Sequence, residues 1–352
     1  MPRALPTPPV PQTAPWVAVE SNKRRKLQAP LVSTAESTLG KWAEKAAARV
    51  GQVGWHRMVE ERRGTSNLTD TVATIPHKAG RLLNFLRKQG AGVPTSTGPW
   101  TQAQVDHAAS RGAHKSAADY TEFVCEELLD FCAQGYWTVL PLAFVREWLG
   151  LRLSPLGVVP QRNRRPRLIV DYSFSGVNQE TVRMAPPEAM QFGRALQRVM
   201  TNIVHADPRY GPCKLAKIDI ADGFYRMWVR IADIVKLGVI LPCSHGGPSL
   251  VAFPLVLPMG WVESPPYFTV ITETACDLAN AAVRTGLPAA PHRLETLAAE
   301  SRPENAQERP YPSDWAAQQA SFDHQSMPTA PLAVADVYVD DFLLAAQTKR
   351  HQ

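Results

Sequence analysis

Two adjacent carboxylates, Asp340 and Asp341, stand between apolar residues near the end of the chain. Valines precede them and Phe342 begins an apolar run after them, a pattern that predicts two strands joined by a tight turn. Carboxylates at the tip of such a hairpin repel each other unless a cation neutralises them. An oxygen-only acidic site suits Mg²⁺, and Mg²⁺ held by carboxylates is typical of nucleotidyl transfer. A solvated acidic turn is the alternative interpretation.

We interpret the segment Lys214–Ile220 as a short strand, and a third carboxylate, Asp219, lies at its end. If this strand end lies beside the acidic hairpin, the three carboxylates form a pocket for two metal ions about 4 Å apart. Asp219 could equally be a turn residue or a helix N-cap. The hypothesis therefore requires that the side chains of Asp219, Asp340 and Asp341 meet in the folded chain.

A loop rich in glycine and proline, Leu257–Phe268, lies between these acids and precedes a predicted helix over Val270–Arg284. Gly260 in this loop lets the backbone approach a ligand closely. Ser264 followed by Pro265 is typical of an N-cap with proline at the first helical position. An ordinary connection into a helix has the same composition.

Four segments resemble motifs of the reverse transcriptases of retroviruses and LTR retrotransposons, and they follow the family's order along the chain. Asp219–Phe224 fits the D-x-x-x-(A/G)-(F/Y) strand, and Leu257–Phe268 fits the LPxGWxxSPxxF loop and helix. Tyr338–Asp341 fits the YxDD hairpin. Arg167–Tyr172, with Asn178 beyond it, is similar to the fingers strand R-x-x-x-D-(F/Y)-R-x-L-N. Four ordered matches are far more specific than any one of them.

The resemblance implies an RNA-directed DNA polymerase that adds deoxynucleoside triphosphates to a primer paired with an RNA or DNA template. It makes Asp219, Asp340 and Asp341 the ligands of two Mg²⁺ ions, with Mn²⁺ as an alternative ion. Bound metal would lower the pKa of the primer 3′-hydroxyl and stabilise charge on the transferring phosphoryl group. Two alternatives stay open: an RNA-dependent RNA polymerase of the same palm class, and a non-catalytic relic that binds nucleic acid.

The resemblance also implies a set of contacts to the incoming nucleotide, made by Arg167, Asp222, Gly223, Phe224, Met259, Gly260 and Tyr338. Arg167 matches an arginine whose planar fork clamps the triphosphate. Phe224 matches the ring beneath the sugar that leaves no room for a 2′-hydroxyl, although a core aromatic would look the same. At Asp222 and Gly223 the backbone N–H groups would meet the triphosphate.

A basic loop between two apolar segments suggests a contact to the nucleic acid backbone. Its arginines are Arg162, Arg164 and Arg165, and a plain solvated basic turn is the alternative. By resemblance Trp261 is a further nucleic-acid contact. Such contacts would be independent of sequence and sensitive to salt.

The chain departs from the family pattern at several positions. Met259 stands where retroviral enzymes carry a glutamine, Ser173 replaces an arginine, and Asn178 comes two residues late. The segment between Arg284 and Leu332 is much longer than the family's link and is rich in Ala, Pro, Glu and Gln. We interpret it as a solvated insertion of a divergent retroelement.

The implied fold is α+β, with a polymerase palm (an antiparallel sheet with helices on one face) plus fingers, and with thumb and RNase H absent. We expect a disordered basic, proline-rich arm over 1–35, a helical region over 36–135, and fingers and palm over 136–345. The fingers would take about 136–185 and 230–257, and the palm about 186–229 and 258–345, with a flexible insertion over about 285–331. Because the chain ends soon after the acidic hairpin, we expect a truncated piece of a Pol polyprotein with weak or no processive activity.

Composition agrees with a soluble protein that binds a polyanion, since 45% of the 352 residues are hydrophobic and the formal net charge is +6. No apolar run of about eighteen residues occurs, which predicts no membrane span. Five cysteines without zinc-ligand spacing predict reduced thiols in an intracellular protein. The basic run Lys23–Lys26 could be a nuclear-localisation patch, so nucleus and cytoplasm both stay open.

Periodicity predicts the elements around these motifs. Helices are expected over Ser37–Glu61, Ala79–Lys88 and Thr101–Gly135, the last opened by a capping box of Thr101 and Gln104. Strands are expected over Gly157–Val159, Arg167–Val170, Val235–Leu241 and Leu250–Leu257, with a turn at Ser244–Gly247.

Overall fold

The computed structural model of the protein describes residues 34–63, 68, 70–184, 192–242, 249–285 and 331–347. Most of the predicted arm, including the basic run Lys23–Lys26, lies outside these residues, as do the turn Ser244–Gly247 and nearly all of the predicted insertion. Within the described ranges, no helix is both long enough and apolar enough to cross a bilayer.

The described part contains both helices and strands. The α-helices are α1 (Thr34–Val53), α2 (Trp55–Arg63), α3 (Gly80–Gln89), α4 (Gln102–Arg111), α5 (Lys115–Ala118), α6 (Thr121–Ala133), α7 (Leu142–Val145), α8 (Val177–Glu180), α9 (Ala195–Val204) and α10 (Ser264–Thr285). The strands are β1 (Trp137–Pro141), β2 (Leu153–Gln161), β3 (Arg164–Val170), β4 (Cys213–Asp219), β5 (Gly238–Ile240), β6 (Leu250–Pro254), β7 (Ala333–Tyr338) and β8 (Asp341–Gln347).

The predicted helices form, but glycines divide two of them. The helix expected over Ser37–Glu61 is split into α1 and α2 at Gly54, whose φ of 83° is left-handed. The stretch expected over Thr101–Gly135 is split into α4, α5 and α6, with Gly112 at φ 70° after α4. Such backbone conformations favour glycine and end a right-handed helix. The capping box of Thr101 and Gln104 is confirmed.

The larger sheet has five strands in the order β1-β6-β5-β2-β3. Its pairs are antiparallel except β2 with β5, which run parallel. The predicted hairpin of β2 and β3 is confirmed, but both strands are longer than expected. Only Arg162 and Asn163 remain as its turn, and Asn163 takes the left-handed φ of 60°.

The strand expected over Val235–Leu241 is wrong in its first half, because Ile231–Leu237 is a 3₁₀ helix and β5 starts only at Gly238. The side chain of Asp233 in this helix accepts a hydrogen bond from Val93 N at 3.1 Å. Ile234, Val235 and Leu237 of this helix are buried, so a short buried helix has the same run of apolar residues that the sequence pattern attributes to a strand.

The smaller sheet has three antiparallel strands in the order β4-β8-β7. Arg198 of α9 binds Asp336 of β7, with Arg198 Nε donating to Asp336 Oδ2 at 2.7 Å. The neighbouring residues Ala335 and Val337 point to the opposite face, where they form a small cluster with Cys276 of α10. Helices α9 and α10 therefore both contact β7 of this sheet.

The main hydrophobic core surrounds the five-stranded sheet. Leu39 of α1, Val139 of β1, Phe253 of β6, Tyr172 and Trp261 all belong to one buried cluster. Helices α1 and α6 pack against β1 and against each other. The helices before the first strand thus share a core with the sheet, and the two sheets and their helices agree with the predicted α+β class.

Candidate metal centre

The acidic hairpin forms as the sequence predicts. Strand β7 ends at Tyr338, β8 begins at Asp341, and Val339 and Asp340 make the turn between them. Val339 has a φ of 59°, a conformation that a β-branched residue rarely adopts. Backbone outliers of this kind cost about 1–3 kcal/mol and cluster at functional sites.

Strand pairing brings Asp219 to the hairpin. Asp219 is the last residue of β4 and lies directly opposite Asp341 of β8. The next residue, Ile220, donates its N–H to the carbonyl oxygen of Asp340 at 3.1 Å. Carboxylate oxygens of Asp219, Asp340 and Asp341 all lie within 4.8 Å of one another. The three acids meet, as the hypothesis requires, and their oxygen-only donor set fits a hard divalent cation such as Mg²⁺.

Burial and the proximity of the three carboxylates shift the pKa values of groups in the cluster. Burial raises the pKa of Asp340 above its ordinary value, and the nearby Asp341 and Asp219 add to this shift. Lys217 Nζ lies 2.8 Å from Asp341 Oδ2. The hydrogen bond to Asp341 raises the pKa of the Lys217 ammonium, so the lysine stays charged beside the acids.

Gly223 and Phe224 lie close to the acids. Gly223 is buried, and a Cβ at this position would come within 2.9 Å of Phe268 Cζ and 3.4 Å of Asp340 Cβ. The half-buried ring of Phe224 meets that of Phe268 edge to face, with centroids 5.4 Å apart. Asp222 is exposed and left-handed, at φ 54°, just before the 3₁₀ turn Gly223–Arg226. This segment therefore contacts the turn that carries Asp340.

The loop around Gly260 packs against the end of β3. Gly260 has a φ of 93°, and a Cβ there would overlap the carbonyl oxygen of Val170. The amide of Asn178 donates to Gly260 O at 3.0 Å and accepts from Val262 N at 2.9 Å. Although Asn178 comes two residues late in the sequence pattern, it reaches the loop. Met259 beside it is 53% exposed.

The N-cap expected at Ser264 is not seen. Ser264 is the first residue of α10, and its hydroxyl donates to the carbonyl oxygen of Pro258 at 2.6 Å. The hydroxyl therefore bonds to the loop that precedes the helix and does not cap an N–H group of the helix.

Trp261 is a correction to the predicted nucleic-acid contacts. Its side chain is only 1% exposed, its Nε1 donates to Thr181 Oγ1 at 3.2 Å, and its ring stacks on Tyr267. A side chain packed in this way cannot reach nucleic acid. The contact was implied only by the resemblance, whereas a tryptophan also suits a core position that offers a hydrogen-bond acceptor.

The arginines of the β2–β3 hairpin divide into two kinds. Arg162, Arg164 and Arg167 are exposed, with Arg167 opposite Val159 on β2. Arg165 instead pairs with Glu127 of α6, with Nη2 and Oε2 2.6 Å apart, so part of its charge is already neutralised. The remaining predicted nucleotide contact, Tyr338, is half-exposed directly opposite Asp341.

Sequence reasoning missed one residue that shapes this site, Lys217, and one contact of a predicted residue, Gly223. Lys217 lies two residues before Asp219, and strand alternation alone would have put both on one face. Gly223 lies against Phe268 and Asp340, which belong to two other segments of the chain. Local sequence patterns do not predict a contact of this kind. Together the residues can bind a divalent cation at three carboxylates beside an open surface. Neither a protein-family model nor a curated protein matches this chain.

Proposed function

We propose that residues 136–345 are the fingers and palm of an RNA-directed DNA polymerase, which transfers deoxynucleotides to a primer 3′-hydroxyl. The observation that carries the proposal is the meeting of Asp219, Asp340 and Asp341, whose carboxylate oxygens lie within 4.8 Å of one another. Asp219 is about 120 positions from the other two in sequence, and each acid belongs to a motif that resembles this family.

The division of the strands between the two sheets supports the same proposal. The five-stranded sheet takes its strands from 137–170 and 238–254, within the ranges expected for fingers. The three-stranded sheet takes its strands from 213–219 and 333–347, which fall in the ranges expected for palm except for the last two residues of β8. Each sheet thus draws on two distant parts of the chain, as an insertion of fingers between palm elements requires.

In the proposed reaction, the three carboxylates hold Mg²⁺ at the end of the β4–β8 pair. The bound ions would activate the primer hydroxyl and neutralise charge on the phosphoryl group. Gly223 lets the backbone of the 3₁₀ turn lie against Asp340, and Phe268 orients the Phe224 ring. Phe224 would then bound the sugar of the nucleotide, and Asn178 would keep the Gly260 loop in place.

Single-nucleotide addition to a DNA primer on an RNA template tests the proposal, with Mg²⁺ and one complementary deoxynucleotide. Asp340→Asn and Asp219→Asn should each reduce addition by about a thousandfold, because electrostatic groups at the reacting centre contribute on this scale. Asp119→Asn, at an exposed acid on another element, is the matched control and should leave the rate unchanged. Equal addition by Asp340→Asn and the unsubstituted protein contradicts the proposal, and so does no addition by either.

Sugar selectivity separates this proposal from an RNA polymerase. Phe224→Ala should reduce the preference for deoxynucleotides over ribonucleotides by about tenfold or more, since a steric wall is removed. The measurement is the ratio of incorporation rates for the two sugars in the same primer assay. A preference for ribonucleotides in the unsubstituted protein would favour the RNA polymerase instead.

A further inference from the structure

Lys217 places a positive charge at the edge of the acidic cluster. It lies in β4 two residues before Asp219, so the two side chains share a face of the sheet. Strand β8 presents Asp341 on that same face, opposite Asp219, and Lys217 Nζ lies 2.8 Å from Asp341 Oδ2. The carboxylate that completes the acidic cluster thus already has a cationic partner within the chain.

We propose that Lys217 is a tethered counter-ion of this site, which competes with a divalent cation for Asp341 Oδ2. The inference rests on the proposed function, because it concerns the same carboxylates. It adds a residue that weakens metal affinity and holds the hairpin acid in one orientation when metal is absent.

The competition follows from the chemistry of the two cations. Mg²⁺ requires direct oxygen ligands at about 2.0–2.1 Å, so the Lys217 ammonium and the metal ion compete for Asp341 Oδ2. The positive charge of Lys217 also repels a divalent ion at this short range. Both effects act against metal binding and neither needs a change of fold.

The exposure of the pair limits the size of the effect. The Lys217 side chain is 58% exposed, whereas that of Asp341 is 25% exposed. Exposed ion pairs are weak and long lysine side chains move readily, so displacement should be easy. Lys217 should therefore adjust the metal concentration at which the site fills, without preventing binding.

Titration of the full chain with Mn²⁺ alone, followed by electron paramagnetic resonance of the free ion, tests the inference without any catalytic readout. Lys217→Gln should lower the Kd for Mn²⁺ by about two- to fivefold, the range that follows from an exposed ion pair. Lys217→Arg keeps the charge and should stay near the unsubstituted value. Circular dichroism confirms that each variant is folded.

Lys214→Gln is the matched control, because Lys214 lies in the same strand but points to the opposite face, where it pairs with Ala346. Its Kd should be unchanged. An unchanged or higher Kd in Lys217→Gln would overturn the inference alone if Asp340→Asn still abolishes Mn²⁺ binding. If the unsubstituted protein does not bind Mn²⁺, the proposed metal site fails and the inference fails with it.

Discussion

The two sheets of this chain differ sharply in how deeply they are buried. In the five-stranded sheet every residue of β6 is buried, and Phe253 at its centre is 0% exposed. In the three-stranded sheet every residue of β4 after Cys213 is exposed, including Leu215 at 66%. Most of the first sheet packs in the main core, although its edge strand β3 is largely exposed, whereas the second contacts α9, α10 and a small cluster around Cys276.

The difference matters because the candidate acids lie in the exposed sheet. Three neighbouring carboxylates repel one another, and they lose hydration when they are buried. Placing them in a deeply buried sheet would therefore cost folding free energy. An exposed sheet keeps them in contact with water. We infer that the buried sheet supplies most of the stability, and that the exposed sheet gives up stability to carry the site.

Replacing a phenylalanine with alanine in each sheet should give the largest effect on the free energy of unfolding. Phe253→Ala should lower the free energy of unfolding by about 3–5 kcal/mol, since a fully buried ring is removed and a cavity remains. Phe342→Ala in β8 should cost less than half as much, because that ring is only partly buried. Urea denaturation followed by circular dichroism measures both. Equal losses would show that the two sheets do not differ in stability as their burial suggests.

A substitution in the loop between β6 and α10 should have a smaller effect on stability. Gly260→Ala should lower the free energy of unfolding by about 1–3 kcal/mol, because its left-handed φ and the carbonyl oxygen of Val170 leave no room for a Cβ. Gly51→Ala is the control of opposite sign. Gly51 is helical with open space around it, so alanine there should stabilise by about 0.5–1 kcal/mol. A stabilised Gly260→Ala variant would show that this contact does not constrain the loop.

Local patterns accounted for the elements around the acids. The strand before Asp219, the acidic hairpin and the capping box at Thr101 each depend on neighbours in sequence, and each forms as predicted. The meeting of the three acids was a hypothesis that rested on motif order. It could be stated from sequence, but only the β4–β8 register shows that Asp219 lies opposite Asp341.

Contacts between distant segments account for what the sequence did not predict. Trp261 is buried because Thr181 supplies its hydrogen-bond partner, and Arg165 is paired because α6 brings Glu127 to it. The 3₁₀ helix before Gly238 contains Asp233, whose side chain accepts a hydrogen bond from the backbone N–H of Val93. In each case the partner lies in another element, which local sequence patterns do not show.

The smallest predicted effect concerns the acid at the hairpin turn. Burial raises the pKa of Asp340 in the folded protein above its ordinary value of 3.8, with Asp341 and Asp219 adding to the shift. The folded chain therefore holds this proton more tightly than the unfolded chain does. Stability is lost as the pH rises from below 3.8 through the folded-state pKa, and at neutral pH the full penalty is present.

Asp340→Asn removes this penalty, so in metal-free buffer at pH 7 it should raise the free energy of unfolding. The gain should be at most about 1 kcal/mol, since the side chain is partly exposed and solvent screens its charge. Below the unfolded-state pKa the two proteins should be equally stable, because Asp340 is then protonated in both states. Urea denaturation at several pH values with a chelator measures the difference. A variant that is less stable at pH 7, or a gain that persists in acid, would mean that Asp340 stabilises the exposed sheet, and the inferred exchange of stability for a metal site would be wrong.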